Sequence, residues 1–264
     1  MERQKLKGNY VIGNSVKAAS LRGLFVTGTD TGVGKTVITA AITAALRSEG
    51  ISAGVWKPVQ SGAPLGSTDS DAHRLSRWSG TGDLPGDIAP FSYEAPLTPY
   101  LAAREAGVEL TLDKLLQGGR PLAERHDVLL VEGAGGIAAP LTTQELVIDL
   151  IEALGMPVLI VAKSGLGTIN HTLLTLSMLR QRHIRVAGVV LNETITDKQQ
   201  DDPSRDTNGV LIARYGRVPV LGCFPYIERK LTPALLARQA SEKLQLAVIR
   251  AALSRSAAPH KKRL

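Results

Sequence analysis

Residues 28–36 have the sequence Gly-Thr-Asp-Thr-Gly-Val-Gly-Lys-Thr, and they join an apolar run at 24–26 to an apolar segment at 37–42. A strand, a glycine-rich turn and a helix opening with Gly-Lys-Thr form the context of a phosphate-binding loop. In such a loop, backbone N–H groups surround an anion and the helix N-terminus adds partial positive charge. Lys35 can then reach the outer phosphates, and the Thr36 hydroxyl can coordinate Mg²⁺. The stretch therefore predicts a nucleotide-binding site instead of a plain connecting turn.

Apolar runs alternate with helical segments along the rest of the chain. We expect strands at 24–27, 52–56, 127–131, 158–162, 186–191 and 218–222. We expect helices at 35–48, 71–78, 101–106, 112–116, 143–154 and 170–182, with irregular chain and at most one short strand at 79–100. Continuously aliphatic strands indicate burial on both faces. The pattern predicts an α/β fold, a single-domain P-loop NTPase with a mostly parallel β-sheet and helices on both faces.

The net charge of +7 is concentrated at the two ends of the chain. Five basic residues and one acidic residue give residues 1–22 a net charge of +4, four basic residues give 255–264 a net +4, and residues 23–254 therefore sum to −1. Because the body has no basic stripe, we do not expect nucleic-acid binding. We divide the chain into a basic, flexible N-terminal extension (1–21), the nucleotide-binding domain (22–245), and a C-terminal helix end with a basic tail (246–264).

Several other classes of protein are disfavoured. No apolar run approaches the roughly 20 residues that span a bilayer, and the N-terminus lacks the apolar stretch of a secretory signal. The single cysteine, Cys223, excludes an intramolecular disulfide and a cysteine-based metal cluster, and the five histidines lack the spacing of metal ligands. We therefore expect a cytoplasmic protein with no membrane partner.

Polar residues follow several predicted strands, at the edge of a parallel sheet where ligands bind. Lys57, Glu132 and Asn192 are the three clearest cases. Glu132 is well placed to hold Mg²⁺, or else it caps a loop, and Lys57 either faces the ligand or ends a solvated strand. Asp71 also suits ordinary helix capping, and Ser61 taken alone is a loop serine. Residues 192–194 lack the Asn-Lys-x-Asp arrangement that reads guanine, which favours adenine.

Five motifs together resemble the dethiobiotin synthetase family. They are residues 28–36, Lys-Pro-Val-Gln-Ser-Gly at 57–62, Ser-Asp-Ala at 70–72, Val-Glu-Gly-Ala-Gly-Gly at 131–136 and Gly-Thr-Ile-Asn-His at 167–171. The resemblance extends from about residue 22 to about 245, in the same order and spacing. Thr29 stands where the strict phosphate-loop pattern has glycine, as is usual in this family. Gly32 departs from members that carry an acidic residue there, but the backbone loop does not depend on that side chain.

The resemblance implies an ATP-dependent ligase of biotin biosynthesis. In this family 7,8-diaminononanoate, CO₂ (or bicarbonate) and ATP give dethiobiotin, ADP and phosphate, through a carbamate and a carbamic–phosphoric anhydride. It implies that Lys35 and Lys57 are catalytic, with Lys57 nearer the carbamate. It also implies that Thr36, Asp71 and Glu132 hold Mg²⁺, and that Ser61 contacts the diamine end of the substrate.

The resemblance also implies which residues contact ATP and which contact the carboxylate of the substrate. ATP would be bound by Gly32, Val33, Gly34, Lys35, Thr36, Val37, Asp71, Glu132, Gly133, Ala134, Gly135, Asn192, Glu193, Pro225, Tyr226 and Ile227, with Asn192 reading adenine. The substrate carboxylate would be held at the start of a helix by Gly167, Thr168 and Asn170 of a neighbouring subunit, which implies a homodimer with shared sites. Free N–H groups at a helix start suit that role.

The residues alone leave two other classes of protein possible. One is a partitioning-type ATPase, which normally has a second lysine early in the phosphate loop, where this chain has Thr29 and Asp30. The other is a catalytically silent nucleotide-binding module.

Overall fold

The first strand, β1 (Gly23–Gly28), lies inside a six-stranded sheet in the computed structural model, which describes residues 22–64, 66–194 and 201–253. The strands are β1, β2 (Ala53–Trp56), β3 (Val59–Ser61), β4 (Phe91–Tyr93), β5 (Val128–Gly136), β6 (Val158–Lys163), β7 (Val186–Asn192) and β8 (Val220–Phe224). The large sheet has the order β2-β5-β1-β6-β7-β8, and β3 pairs with β4 in a separate sheet. All of these strand pairs are parallel, which confirms the expected sheet.

Helices lie between most successive strands, and two more follow the last strand. They are α1 (Lys35–Ser48), α2 (Asp71–Ser79), α3 (Pro85–Ile88), α4 (Pro99–Glu105), α5 (Leu112–Gly118), α6 (Arg120–Arg125), α7 (Val147–Leu154), α8 (Thr168–Gln181), α9 (Arg205–Gly216), α10 (Pro233–Lys243) and α11 (Leu246–Leu253). In the described part of the chain, no helix is both long enough and apolar enough to cross a membrane.

The apolar side chains of β1, β5 and β6 alternate between two apolar layers, one on each face of the large sheet. On β1, Leu24 and Val26 belong to the layer that includes α1, α10 and α11, whereas Phe25 belongs to the layer that includes α7 and α8. All three side chains are completely buried. The helices therefore cover both faces, as the continuous aliphatic runs predicted.

The structure corrects several expected boundaries. The central strand continues to Gly136 instead of ending at 131, because its glycine-rich end pairs with β1. The helix expected at 143–154 begins at Val147, because the Thr142 hydroxyl accepts hydrogen bonds from the N–H groups of Gln144 and Glu145 and holds a turn there. The helix expected from 170 begins at Thr168.

Six elements were not expected from the sequence: β3, α3, α6, α9, α10 and α11 as a full helix. The first three are short, and α9 has Asn208 and Gly209 in its interior, which are poor helix formers. The division of the chain at residue 245 stays a prediction, although α11 contributes Leu246 and Ile249 to the same apolar layer as β1. The expected flexible extension at 1–21 and most of the tail lie outside the described residues.

Candidate active site

The phosphate-binding loop joins β1 to α1 and presents unbonded backbone N–H groups. None of the N–H groups of residues 32–37 donates a hydrogen bond to another described residue. Gly34 is the N-cap of α1, with φ 94° and no side-chain cap. This left-handed conformation favours glycine and turns consecutive N–H groups toward one point. The loop can therefore bind an anion at the helix N-terminus.

Lys35 folds back over this loop. Its Nζ donates to the carbonyl of Asp30 at 3.0 Å, and the residue is buried. Burial, aided by the positive charge of Lys57, lowers the pKa of Lys35 from its ordinary value to about 8. A phosphate bound in the loop would raise this pKa again, because an opposite charge favours the ammonium form. Lys35 is therefore a cation held ready for an anionic ligand.

Three oxygen-bearing side chains meet beside the loop. The Thr36 hydroxyl lies 3.2 Å from Oδ1 of Asp71 and 3.0 Å from Oε1 of Glu132, and it can donate to one of them at a time. Ser70 accepts the capping hydrogen bond of α2 from the His73 N–H, which leaves the Asp71 carboxylate free to reach Thr36. The predicted phosphate loop, strand end and helix start therefore converge.

Lys57 lies between the two carboxylates. Its Nζ is 2.6 Å from Oε1 of Glu132 and 2.6 Å from Oδ2 of Asp71. Burial alone would lower the pKa of Lys57, but Glu132 and Asp71 together raise it above its ordinary value. Burial likewise favours the neutral acid at Asp71, yet the Lys57 charge and hydrogen bond lower the pKa of that carboxyl. The cluster therefore holds an ammonium and two carboxylates, and Lys57 is not a solvated strand end.

The oxygen atoms of this cluster suit Mg²⁺. Oε2 of Glu132 is buried and has no hydrogen-bond partner in the structure. Among the described residues, no group of three or more His, Cys, Asp or Glu side chains could hold a metal ion. A hydroxyl and two carboxylates match a Mg²⁺ ion that keeps most of its coordination positions for phosphate and water oxygens. The donor chemistry therefore fits the ion, with Thr36, Asp71 and Glu132 as its candidate ligands.

The glycine-rich end of β5 borders the same loop. Gly136 pairs with Gly28 at the end of β1, which brings Gly133, Ala134 and Gly135 beside the phosphate-binding turn. A Cβ added to Gly135 would lie 3.9 Å from the Thr31 hydroxyl. The backbone of this segment can therefore approach a nucleotide closely.

A separate cavity of about 210 Å³ suits the base of a nucleotide. Its lining includes the predicted residues Val37, Asn192, Glu193, Pro225, Tyr226 and Ile227, and also Thr194 and Leu231. Asn192 connects the cavity to the phosphate loop, because its Nδ2 donates to the carbonyl of Val33 at 3.0 Å. Sequence reasoning missed Thr194 and Leu231, although Thr194 is close in sequence to the predicted Asn192. No motif of the sequence indicates Leu231.

Two predicted substrate contacts lie outside the charged cluster. The Ser61 hydroxyl, at the end of β3, donates to the carbonyl of Leu97 at 2.7 Å. Gly167, Thr168 and Asn170 lie at the start of α8, where the described N–H groups of Gly167, Ile169 and Asn170 donate no hydrogen bond to described residues. Across the described chain, no hydrogen bond or ion pair joins this turn to Lys57 or Thr36.

The sequence of this chain is similar to a family model and to several named proteins. A family model described as an AAA domain matches residues 22–256. A protein of Anaeromyxobacter dehalogenans (strain 2CP-C), named ATP-dependent dethiobiotin synthetase BioD, is 47% identical over 206 residues, which are 78% of this chain and 91% of that protein. Proteins of the same name from Bacillus subtilis (strain 168) and Bacillus thuringiensis (strain Al Hakam) are 42% and 38% identical, over 78% and 86% of this chain and 87% and 92% of theirs.

Solved structures support the fold alone, at low sequence identity. The MinC:MinD cell division protein complex of Aquifex aeolicus matches with a TM-score of 0.53 and 15% identity, over 91% of this chain and 99% of that one. A ParA family ATPase of Chlorobium tepidum TLS matches with a TM-score of 0.50 and 15% identity, over 89% of this chain and 98% of that one. Both agree with an α/β fold built on a parallel sheet.

Proposed function

We propose that this chain, which belongs to the dethiobiotin synthetase family of AAA-domain proteins, converts 7,8-diaminononanoate, CO₂ and ATP into dethiobiotin, ADP and phosphate. The observation that carries the proposal is the cluster in which the Lys57 ammonium lies 2.6 Å from both Asp71 and Glu132, beside the Thr36 hydroxyl. This is a cation at the mouth of a phosphate loop, where a second anionic substrate can meet the terminal phosphate of ATP.

The chemistry requires two anions to be brought together. One amine of the diamine captures CO₂ as a carbamate, which is too poor an electrophile for the second amine. A carbamate oxygen then attacks the terminal phosphorus of ATP and releases ADP. The second amine attacks the carbonyl carbon of the resulting carbamic–phosphoric anhydride, phosphate leaves, and the five-membered cyclic urea closes. Alignment and charge neutralisation are the main tasks of the protein.

Lys57 and Lys35 supply positive charge in this scheme. Because the pKa of Lys57 is raised, its side chain stays protonated, so it acts as a cation for the carbamate and the transferring phosphoryl group and not as a base. Lys35 reaches the outer phosphates from the loop, and the free N–H groups of residues 32–37 bind the phosphate oxygens. When bound by Thr36, Asp71 and Glu132, Mg²⁺ would neutralise phosphate charge.

The two ends of the diamine need separate contacts. Ser61 is the candidate for the diamine end, since its hydroxyl ends β3 in the segment that follows Lys57. The start of α8 is the candidate for the carboxylate, because it has N–H groups without a partner among the described residues, and such groups favour an anion. Asn192 lines the base cavity and has a carboxamide oxygen that can accept from the exocyclic amine of adenine.

The carboxylate site would serve the active site of a second copy of the chain. Four large apolar side chains on or beside α8 and α9 are exposed, which supports a covering partner: Leu166, Leu174, Val210 and Tyr215. In this homodimer, the α8 turn of one copy would hold the carboxylate of a diamine bound beside Lys57 of the other.

The function is tested by measuring phosphate release with all substrates present and with each substrate omitted in turn. ATP, Mg²⁺, the diamine and bicarbonate together should give phosphate and a product with the mass of dethiobiotin, and omission of either the diamine or bicarbonate should reduce release to background. Release that does not depend on the diamine would contradict the ring closure and favour a nucleotide-switched ATPase. No release under any condition would favour a silent binding module.

A further inference from the structure

Two side chains, one in the first turn of α9 and one just before that helix, form hydrogen bonds with the loop that precedes α8. The Asn208 Nδ2 donates to the carbonyl of Ser164 at 2.8 Å and to that of Gly165 at 3.2 Å. Oδ2 of Asp202 accepts from the Leu166 N–H at 2.6 Å. Three consecutive residues of the loop are therefore bonded from one neighbouring segment, which no motif of the sequence indicates.

The segment at 202–208 is itself stabilised by internal hydrogen bonds. Oδ1 of Asp202 accepts from the Ser204 N–H at 2.9 Å, and the Asn208 amide lies 3.0 Å from the Ser204 hydroxyl. Hydrogen bonds from Ser204 and from the Leu166 N–H lower the pKa of Asp202 below its ordinary value, so it is an anion at neutral pH. Asn208 is only 2% exposed. A buried amide and a charged acceptor therefore form one connected network.

The loop ends where the unpaired N–H groups of α8 begin. Gly167, Ile169 and Asn170 have N–H groups without a partner among the described residues. The direction of these groups depends on the loop backbone immediately before them. A shift of about 1 Å in a binding group can remove much of its contribution. Whatever fixes residues 164–166 therefore also sets where an anion can bind.

We propose that Asn208 and Asp202 are positioning residues, which hold the loop at 164–167 so that the N–H groups at the start of α8 bind the carboxylate of the diamine substrate. This inference rests on the proposed function, and it adds two residues to the machinery of that site. Asn208 suits the role because its two amide N–H groups serve two carbonyls at once, which a carboxylate at neutral pH cannot do.

Steady-state kinetics of Asn208→Ala and Asn208→Asp on two diamines test the proposal. The first is 7,8-diaminononanoate, and the second is 2,3-diaminooctane, which keeps both amines and the alkyl chain but lacks the carboxylate. We expect KM for diaminononanoate to rise at least about tenfold, the effect of one lost hydrogen bond to a charged group. KM for ATP, and kcat/KM for diaminooctane, should both stay within about threefold of wild type.

Thr207→Ala is the matched control. Its hydroxyl donates to the Ser204 carbonyl within the same segment at 3.1 Å, and among the described residues it forms no hydrogen bond with the loop. This variant should behave as wild type on both diamines. If Asn208→Ala instead lowers kcat/KM equally for both diamines, or raises KM for ATP by the same factor, the residue is merely structural and the proposal is wrong.

Measurements on the wild-type protein with the two diamines distinguish a failure of this inference from a failure of the proposed function. Equal kcat/KM for diaminononanoate and diaminooctane would mean that no carboxylate is bound, which would overturn the inference and leave the ring closure intact. Turnover of neither diamine would contradict the proposed function and the inference together.

Discussion

The Nζ of Lys57 lies 2.6 Å from Oε1 of Glu132, and both side chains are almost completely withdrawn from water, at 4% and 0% exposure. A buried pair of this kind is costly to break, because removing one partner leaves the other charge in a poorly solvated place. Oε2 of the same glutamate is buried and has no hydrogen-bond partner in the described part of the chain. Glu132 therefore keeps one buried oxygen atom that is available to a ligand while the other contacts Lys57.

Glu132→Gln keeps the size of the side chain and removes its charge. We expect a loss in kcat on the order of 10²-fold or more and a marked increase in the Mg²⁺ concentration for half-maximal activity. The free energy of unfolding should fall by about 1–3 kcal/mol, since Lys57 keeps only one charged partner. Activity as a function of Mg²⁺ concentration, with denaturant unfolding beside it, measures both effects.

Asp71→Asn is the control for this substitution, because Asp71 contacts the same ammonium but its side chain is 35% exposed. Water can reach this side of the cluster and partly solvate the Lys57 ammonium when the Asp71 charge is removed. The loss of stability should therefore be smaller than for Glu132→Gln. An unchanged Mg²⁺ requirement in Glu132→Gln would show that Glu132 is a structural partner of Lys57 and not a metal ligand.

Lys57→Gln tests whether this ammonium acts on the reacting groups. If it neutralises charge shared between carbamate and phosphoryl group, kcat should fall at least about 10²-fold while the ATP dissociation constant changes less than about threefold. The backbone N–H groups of the phosphate loop, which form no hydrogen bond with Lys57, keep most of the ATP affinity. Single-turnover kinetics and equilibrium ATP binding give the two numbers.

Lys57→Arg extends the same test. The planar guanidinium places its charge differently from a compact ammonium, so we expect incomplete rescue. Small and equal changes of kcat and ATP affinity in Lys57→Gln would remove Lys57 from the catalytic group.

The sequence predicted which side chains share the edge of the sheet. Parallel strands bring their carboxyl ends together, so Lys57, Glu132 and Asn192 could be assigned to one edge without coordinates. The exact partners could not be assigned, because they depend on side-chain packing across β2, β5 and the start of α2. Asp71 illustrates the difference: a Ser-Asp pair suits capping by either residue, and only the structure assigns the cap to Ser70.

Segments with weak local patterns were harder to predict. The helix α9 contains Asn208 and Gly209, and its apolar residues do not form a clear stripe. It packs against α8, which is distant in sequence, and against β8, the strand that follows it in the chain. The hydrogen bonds of Asn208 and Asp202 with the loop at 164–166 likewise join segments that are distant in the chain, so no local pattern predicts them.

Leu174→Glu tests the homodimer. Leu174 lies on α8 and is 62% exposed, so a charge there should separate two copies that meet on this face without unfolding either. We expect sedimentation to change from dimer to monomer and diamine turnover to fall, while ATP binding stays near wild type.

Leu84→Glu is the matched control for this surface change. Leu84 is 68% exposed and precedes α3, away from α8 and α9 in the chain. It should sediment as wild type does. A Leu174→Glu protein that stays dimeric at the same concentrations would place the partner surface elsewhere.

Gly34→Ala and Gly32→Ala separate backbone strain from contact in the phosphate loop. Both glycines have positive φ, 94° and 72°, so either alanine adds strain of about 1–2 kcal/mol. A Cβ at Gly34 would lie 2.1 Å from Nδ2 of Asn192, whereas a Cβ at Gly32 would meet nothing within 4 Å. The first substitution must therefore displace Asn192 from the Val33 carbonyl and from the base cavity.

The two alanine variants should consequently differ in nucleotide binding more than in stability. We expect Gly34→Ala to weaken ATP binding at least about 100-fold, since both the loop and the base contact are disturbed, and Gly32→Ala to weaken it at most about tenfold. Calorimetric titration with ATP, beside thermal unfolding of both proteins, makes the comparison. Equal losses of affinity would mean that strain alone decides the effect. The hydrogen bond from Asn192 to the Val33 carbonyl would then not connect the phosphate loop to the base cavity.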